Sequence, residues 1–497
     1  MDTKMKKIRT ASFLLALLIS ASSCSCGGSV DDDPKVTGSE TQTSETTADA
    51  LSDGLDGLNF GGKQINIFCT NYGDSKGFQY FFAEEETGEI VIDSVYRRNR
   101  TVEERLGVNL GYTEFAFSWD EKDQMYNAVR SGIMADDNGF DIICMPTYFV
   151  STMIVEGLFG DLSSLPHVDF SKPWWSEDFI ETATISGKTY LAAGDGTLPF
   201  LTGINCLAFN KKLATDFSVP DIYDTVFDGK WTFDCLNSTI KGVYSDLNGN
   251  STAVKDKEDR WGLEIFGGNN ISCFETSCEA PCIVNKNGKY EFVYDSERNV
   301  EVFDMLVKLV HQNEDVVYYG QDSMQVPESA FGNGNSLFAT ISFAKTSTMR
   351  DLKFDWGVIP YPKYDESQEK YHTRASSGTE VFQIPVTSSG REDVGAVLEA
   401  LSSEGYKSLT PAYYETALKV KYTNGDKTSE MLDLIKDSAS IEFALVFASA
   451  IGAPTDQFKN AVGNSSNKGG WASTVASLKL KTVGLLEDML AAIEANN

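Results

Sequence analysis

The chain has 497 residues, which at about 100–200 residues per domain leaves room for two to four domains or two large lobes. A content of 41% hydrophobic and 11% aromatic residues excludes a disordered, collagenous or low-complexity body. The formal net charge of −30 repels phosphate backbones and disfavours nucleic-acid binding, and three scattered histidines, His167, His311 and His372, exclude an HExxH zinc site.

The first segment reads as an address. Lys4, Lys6, Lys7 and Arg9 precede an apolar run from Phe13 to Ile19, which is too short for a stable membrane span. Small residues Ser20 to Ser23 then lead to Cys24, so residues 1–23 are expected to be a secretory signal. Ala21-Ser22-Ser23-Cys24 resembles a bacterial lipobox, which makes Cys24 the expected lipidated residue at the outer face of the cell membrane. An ordinary cleaved signal with a chance cysteine is the alternative. Residues 24–58 are rich in Ser, Thr, Gly and Asp and cannot pack a core, so they read as a flexible tether. No later segment approaches the unbroken apolar length of about 18 residues that a membrane helix needs.

In the body, Ile65 to Cys69 is an apolar run of strand character. Val91, Val95, Val102 and Leu106 form one face of a helix that stops at Gly107, and Val108 to Tyr112 is a second strand. Asp120 to Arg130 is expected to be helical, with Met125 and Val129 inward and an end at Ser131-Gly132. Phe140 to Met145 is continuously apolar, as in a strand covered on both faces. The order β-α-β-α-β indicates an α/β lobe with a largely parallel sheet. Residues 210–345 read as a second, helix-rich region, closing on a buried strand over Leu337 to Phe343. Asp355 to Pro362 and Val381 to Pro385 are short strands, and helices follow at Asp393–Leu401, Ser429–Lys436, Ile441–Ala450 and Ala472–Ala495.

Of nine cysteines, two lie at the lipobox, and Cys69, Cys144 and Cys206 sit in apolar runs as buried thiols. Cys273, Cys278 and Cys282 lack a fourth metal ligand and CxxC spacing, so one local disulfide or free thiols are expected. Asp246-Leu247-Asn248-Gly249-Asn250 is like the start of a calcium loop. However, Ser251 stands where an EF-hand requires Gly and Lys257 where it requires Glu, so a polar surface turn is expected and no metal. No GxSxG, Walker A or GxGxxG fingerprint occurs in strand–turn–helix context.

Six stretches together resemble the extracellular solute-binding proteins of bacterial ABC importers, in the carbohydrate-binding group that includes maltose-binding protein. They are Phe60 to Cys69, Glu103 to Val108, Gly139 to Ile143 with Gly160-Asp161-Leu162, Gly187 to Tyr190 leading to Leu207–Leu213, Gly229 to Phe233, and Phe354 to Pro362. The resemblance covers roughly residues 59–365 and implies an α/β, two-lobed periplasmic-binding-protein-like fold of type II. Lobe 1 is then expected at 59–201 with a return segment at about 360–405, and lobe 2 at 202–359 with a helical C-terminal region at about 406–497. It also implies a monomer that binds ligand between the lobes and delivers it to a membrane permease, with no cofactor and no catalysis.

A sugar presents apolar C–H faces and rings of hydroxyls, so its site needs aromatic platforms with carboxylates and amides around them. In open α/β sheets such sites lie beyond the carboxyl ends of strands. Candidates are Asn71, Tyr72 and Asp74 after the first strand, Tyr148 after the strand at 140–145, and Asp195 between two glycines before the hinge. Trp175, with Trp174 beside it, is expected to have one indole of the pair turned to the cleft. Phe343 occupies a place resembling the family's stacking aromatic, and Trp471 is expected to project from the Gly469-Gly470 turn. The alternatives left open are an exported glycan-acting enzyme, for which two carboxylates would suffice, and a surface adhesion protein.

Overall fold

A computed structural model describes residues 51–72, 77–135, 139–251, 256–320, 326–414, 426–464 and 470–496. The signal, Cys24, the tether up to residue 50, and Asp74 lie outside the described residues. Leu55–Asn497 form one compact unit, distinct from Met1–Gly54. No helix among the described residues is long and apolar enough to cross a membrane.

Among the described residues nine strands build two sheets: β1 Lys63–Tyr72, β2 Val108–Phe117, β3 Ile142–Pro146, β4 Asn205–Asn210, β5 Trp261–Ile265, β6 Val316–Tyr318, β7 Ser336–Ser342, β8 Trp356–Ile359 and β9 Glu380–Gln383. Lobe 1 carries the order β9-β3-β1-β2, with β1 parallel to β2 and β3 and β9 antiparallel to β3. Lobe 2 carries β6-β5-β7-β4-β8, parallel through β6, β5 and β7 and antiparallel through β4 and β8.

Local chemistry explains most of lobe 1. Helix Ile90–Leu106 buries Val91, Val95, Val102 and Leu106 and ends on Gly107 at φ 59°, whose amide bonds Glu103 O. A Cβ there would meet the Asn59 side chain at 2.6 Å, so glycine supplies both the left-handed turn and the space. Ile142 to Met145 of β3 are fully buried, because helices cover both faces. Helix Lys122–Met134 runs past the expected stop at Gly132 and adds Ile133 to its inner face. Gly132 is there for packing: a Cβ would collide with the Phe140 ring at 2.0 Å. An ionic network fixes the far edge of the sheet. Asp141 accepts from Asn66 N at 2.7 Å and pairs with Arg391, which also holds Asp393 at 2.6 Å, and Lys63 joins Asp393 at 2.8 Å.

Lobe 2 departs more from the sequence expectation, since the region 210–345 contains, besides the expected strand at Ser336–Ser342, two further strands of its central sheet, Trp261–Ile265 and Val316–Tyr318. Glu264 breaks the apolar run Trp261-Gly262-Leu263-Glu264-Ile265 and hides the strand. The fold accommodates this carboxyl, fully buried, with Tyr319 Oη at 2.6 Å, Ser329 Oγ at 3.2 Å and the amides of Ala330 and Phe331 at 3.1 and 2.6 Å. Burial still pushes it up to about 7, against those four donors. The expected helix at Ile441–Ala450 is two short ones, Phe443–Val446 and Ala448–Ile451, broken at Phe447.

Crossing segments join the lobes. Ile204 bridges Ala375, Ser376 N donates to Gly203 O at 3.0 Å, and Asn205 Nδ2 donates to Arg374 O at 2.9 Å. All seven cysteines in the described body are free thiols, including Cys273, Cys278 and Cys282. Asp246 caps a local turn, accepting from Gly249 N at 2.6 Å and Ser251 N at 2.9 Å, and no metal-holding group of His, Cys, Asp and Glu occurs among the described residues.

Candidate functional site

Strand direction places the site. In lobe 1 the carboxyl ends of β1, β2 and β3 and the amino end of antiparallel β9 share one edge, so Tyr72, Trp119, Tyr148 and Glu380 gather there. Trp119 follows β2 directly and is 48% exposed, an unusual state for the most costly residue to leave wet. Its ring lies 5.6 Å from Tyr148 and 5.7 Å from Phe149, and the Lys122 ammonium lies 5.3 Å from its centroid. Tyr72 packs at 5.3 Å on Phe117 and 5.5 Å on Phe149. Phe149 is buried and backs all three rings, giving a firm aromatic shelf. Asn71 Nδ2 donates to Glu114 Oε1 at 2.7 Å beside it.

The opposite wall comes from lobe 2 and the helix Pro454–Gly463. Tyr148 Oη donates to Asp456 Oδ2 at 3.0 Å; Lys459 pairs with Asp456 at 2.7 Å and donates to Asn269 Oδ1 at 2.8 Å. Asn269 opens the helix that follows β5, so this polar chain runs from one lobe to the other. Burial, then the Asp456 charge, pushes the Tyr148 hydroxyl well above its ordinary range, keeping it a donor. Two surface depressions, about 570 Å³ near Phe233 and Met305 and about 510 Å³ near Phe209 and Tyr223, include none of these edge residues. The edge combines an exposed aromatic face, Trp119, with polar partners from two lobes.

Glu380 lies beneath the shelf, 2% exposed, with Tyr72 N at 3.4 Å. Burial pushes its carboxyl up from 4.5 to about 7. A raised folded-state value means that the stabilisation is complete below the unfolded value and is lost as pH rises through about 7. Glu380→Gln is therefore expected to match the parent near pH 5 and exceed its stability at about pH 8.5 by up to ~3 kcal/mol. Urea unfolding at both pH values measures this, and an identical difference at the two would refute it.

Several expected contacts are placed differently. Trp175 is 5% exposed, and its Nε1 and that of buried Trp174 donate to Glu399 at 3.0 and 2.9 Å, so neither indole faces the cleft. Asp195 is buried between Thr410 and Lys436 and ties the hinge to the C-terminal helices. Phe343 is wholly buried in the core, its amide bonded to Ile204 O at 3.0 Å. Trp471 is 1% exposed, stacked 5.0 Å from Phe303 with Nε1 on Tyr294 O at 2.8 Å, so it is a core residue and no platform. Asn71, Tyr72 and Tyr148 are brought together at the edge. Trp119 is the residue that the sequence reading missed: the second strand was expected to end at Tyr112 but continues to Phe117, which carries Trp119 to the strand's carboxyl end. The β-favouring residues Tyr112, Thr113, Phe115 and Phe117 are the available signal.

The profile of bacterial extracellular solute-binding proteins matches residues 112–398, more than half the chain. The chain belongs to this family. Its members are binding proteins exported from the cell. Solved structures agree on the two-lobed fold of this solute-binding protein. An ABC substrate-binding protein from Listeria monocytogenes, in complex with cycloalternan, is 14% identical over 86% of this chain and 99% of its own, with a TM-score of 0.52. A cyclic alpha-maltosyl-1,6-maltose binding protein from Arthrobacter globiformis is 13% identical over 88% and 100%, with a TM-score of 0.51. UgpB from Mycobacterium tuberculosis, in complex with glycerophosphocholine, is 12% identical over 88% and 99%, with a TM-score of 0.51. No curated protein sequence matches the chain.

Proposed function

We propose that this solute-binding protein captures an oligosaccharide between its lobes and hands it, unaltered, to an ABC permease in the membrane. The observation that carries this reading is the half-exposed Trp119 on a buried aromatic backing, opposite a polar wall from the other lobe. A flat apolar ring beside amides and carboxylates suits a pyranose, whose C–H face stacks while its hydroxyls hydrogen-bond. Asn71, Tyr72, Trp119, Tyr148 and Asp456 are the assigned contacts, with Asp74 following β1 as a further one. Two of the similar structures, solved with or named for a cyclic saccharide, support a carbohydrate ligand. The lobes span 59–201 with 360–405, and 202–359 with 406–497. Export through the leader 1–23, a lipid on Cys24 and the tether 24–58 would hold a monomeric receptor at the outer face of the membrane.

Ligand-linked stabilisation tests the reading, since a solute bound only by the folded form raises the melting temperature. A thermal-shift screen with linear and cyclic oligosaccharides, and with glycerophosphocholine, is expected to respond to a glycan, with no growth of reducing ends. A response to glycerophosphocholine alone would overturn the carbohydrate assignment, and turnover would overturn the receptor.

A further inference from the structure

We propose that Glu275 and Glu442 form a proton-sharing clasp that pins the C-terminal segment 441–451 to lobe 2 and loosens in mild alkali. Glu275 lies on helix Asn269–Ser277 and is wholly buried. Its Oε1 accepts from Tyr294 Oη, while Oε2 is buried with no hydrogen-bond partner. Glu442 precedes helix Phe443–Val446; its Oε1 accepts from Thr276 Oγ1 at 2.9 Å, and its Oε2 is likewise buried and unpartnered. Two buried carboxylate oxygens without a protein donor are costly, and a proton held on one of them removes that cost.

The surrounding charges agree. The groups that face the pair are Ser272 and Thr276 on the helix itself, Tyr294 and Cys282 beyond it, and Arg374 on the crossing segment. Arg374 is the single cation among them, and its Nη1 is occupied by Asn269 O at 3.0 Å. One guanidinium balances one carboxylate, so the second must be neutral for the site to stay buried. Burial, then the Glu442 charge, pushes Glu275 well up; burial pushes Glu442 up against Thr276 and Arg374. The two carboxyls therefore titrate as a pair.

The segment that the clasp holds is also bonded to lobe 1. Thr182 Oγ1 donates to Ile441 O at 3.3 Å, Ser151 and Ser449 hydroxyls meet at 2.7 Å, and Ala450 N donates to Ser151 Oγ at 3.1 Å. Residues 441–451 thus strap the two lobes, with the acid pair as the attachment on lobe 2. Removing the shared proton leaves two carboxylates against the one guanidinium of Arg374, and their repulsion loosens the strap.

Hydrogen exchange on the full, ligand-free chain tests this without reference to any solute, so its failure leaves the carbohydrate reading standing, and the reverse holds. Relative to an unstructured reference, amide protection over 443–451 is expected to fall about tenfold between about pH 6 and about pH 8.5. Glu442→Gln carries a permanent N–H donor toward Glu275 and should abolish that fall. Glu275→Gln serves the same end if the first variant does not fold. Thr276→Val removes a donor that favours the ionised Glu442, so it should move the fall to higher pH without abolishing it. Unchanged protection in the parent across this range, or a parent-like fall in both glutamine variants, overturns the clasp.

Discussion

Trp471→Ala is expected to lower unfolding stability by about 3–5 kcal/mol while leaving the affinity of the folded protein for its ligand unchanged. The indole is 1% exposed, stacks on Phe303 at 5.0 Å and meets Tyr294 and Phe458 edge-on at 5.4 and 5.1 Å. Truncation opens a cavity among Phe303, Tyr294 and Phe458, whose rings cannot fill it without moving the elements that carry them. It also strands the Tyr294 carbonyl, which accepts from the indole at 2.8 Å, and an orphaned buried acceptor adds about 1–3 kcal/mol to the cost. Trp471→Phe keeps the stack and loses the hydrogen bond, so it should fall between. Denaturant unfolding with an unchanged m-value measures the loss, and a loss below ~1 kcal/mol would show that the C-terminal helix is not integral to the core.

Trp119→Ala should do the reverse. With half of its surface already in water, its removal costs little folding energy, but the ligand loses its stacking face. Central aromatic anchors of binding sites typically cost about 2 kcal/mol or more on truncation, or about thirtyfold in affinity. Trp119→Phe should recover most of the loss because it retains a flat ring. Calorimetric titration with the glycan identified in the screen reads this directly, and an unchanged affinity would remove the aromatic shelf from the site. Tyr72→Ala is a less clean probe. Its ring packs on Phe117 and Phe149, so stability and affinity fall together.

The contrast between these tryptophans explains where sequence reasoning stops. Both follow polar, turn-like residues, and Gly470 before Trp471 even suggests projection into solvent. Exposure depends on neighbours distant in sequence: Trp471 meets Tyr294 and Phe303, whereas Trp119 follows the edge strand of its sheet and keeps about half of its surface exposed. Glu399 makes the same point. Nothing near Trp174 and Trp175 in the chain announces that a carboxyl some 225 positions on will take both indole N–H groups and turn the pair inward.

Local periodicity by itself determined the helix that buries Val91 to Leu106 and stops at Gly107, the strands around 65–69 and 140–145, and their parallel order, because those features depend on the spacing of apolar and charged residues along a short stretch. Tertiary structure alone decided that Glu264 sits inside a strand, that Trp119 and not Trp471 stays wet, and that Tyr148 reaches Asp456 across 308 positions. Burial and partner are properties of the packed molecule: the same side chain is a platform, a core filler or a buried acid according to what the fold sets against it.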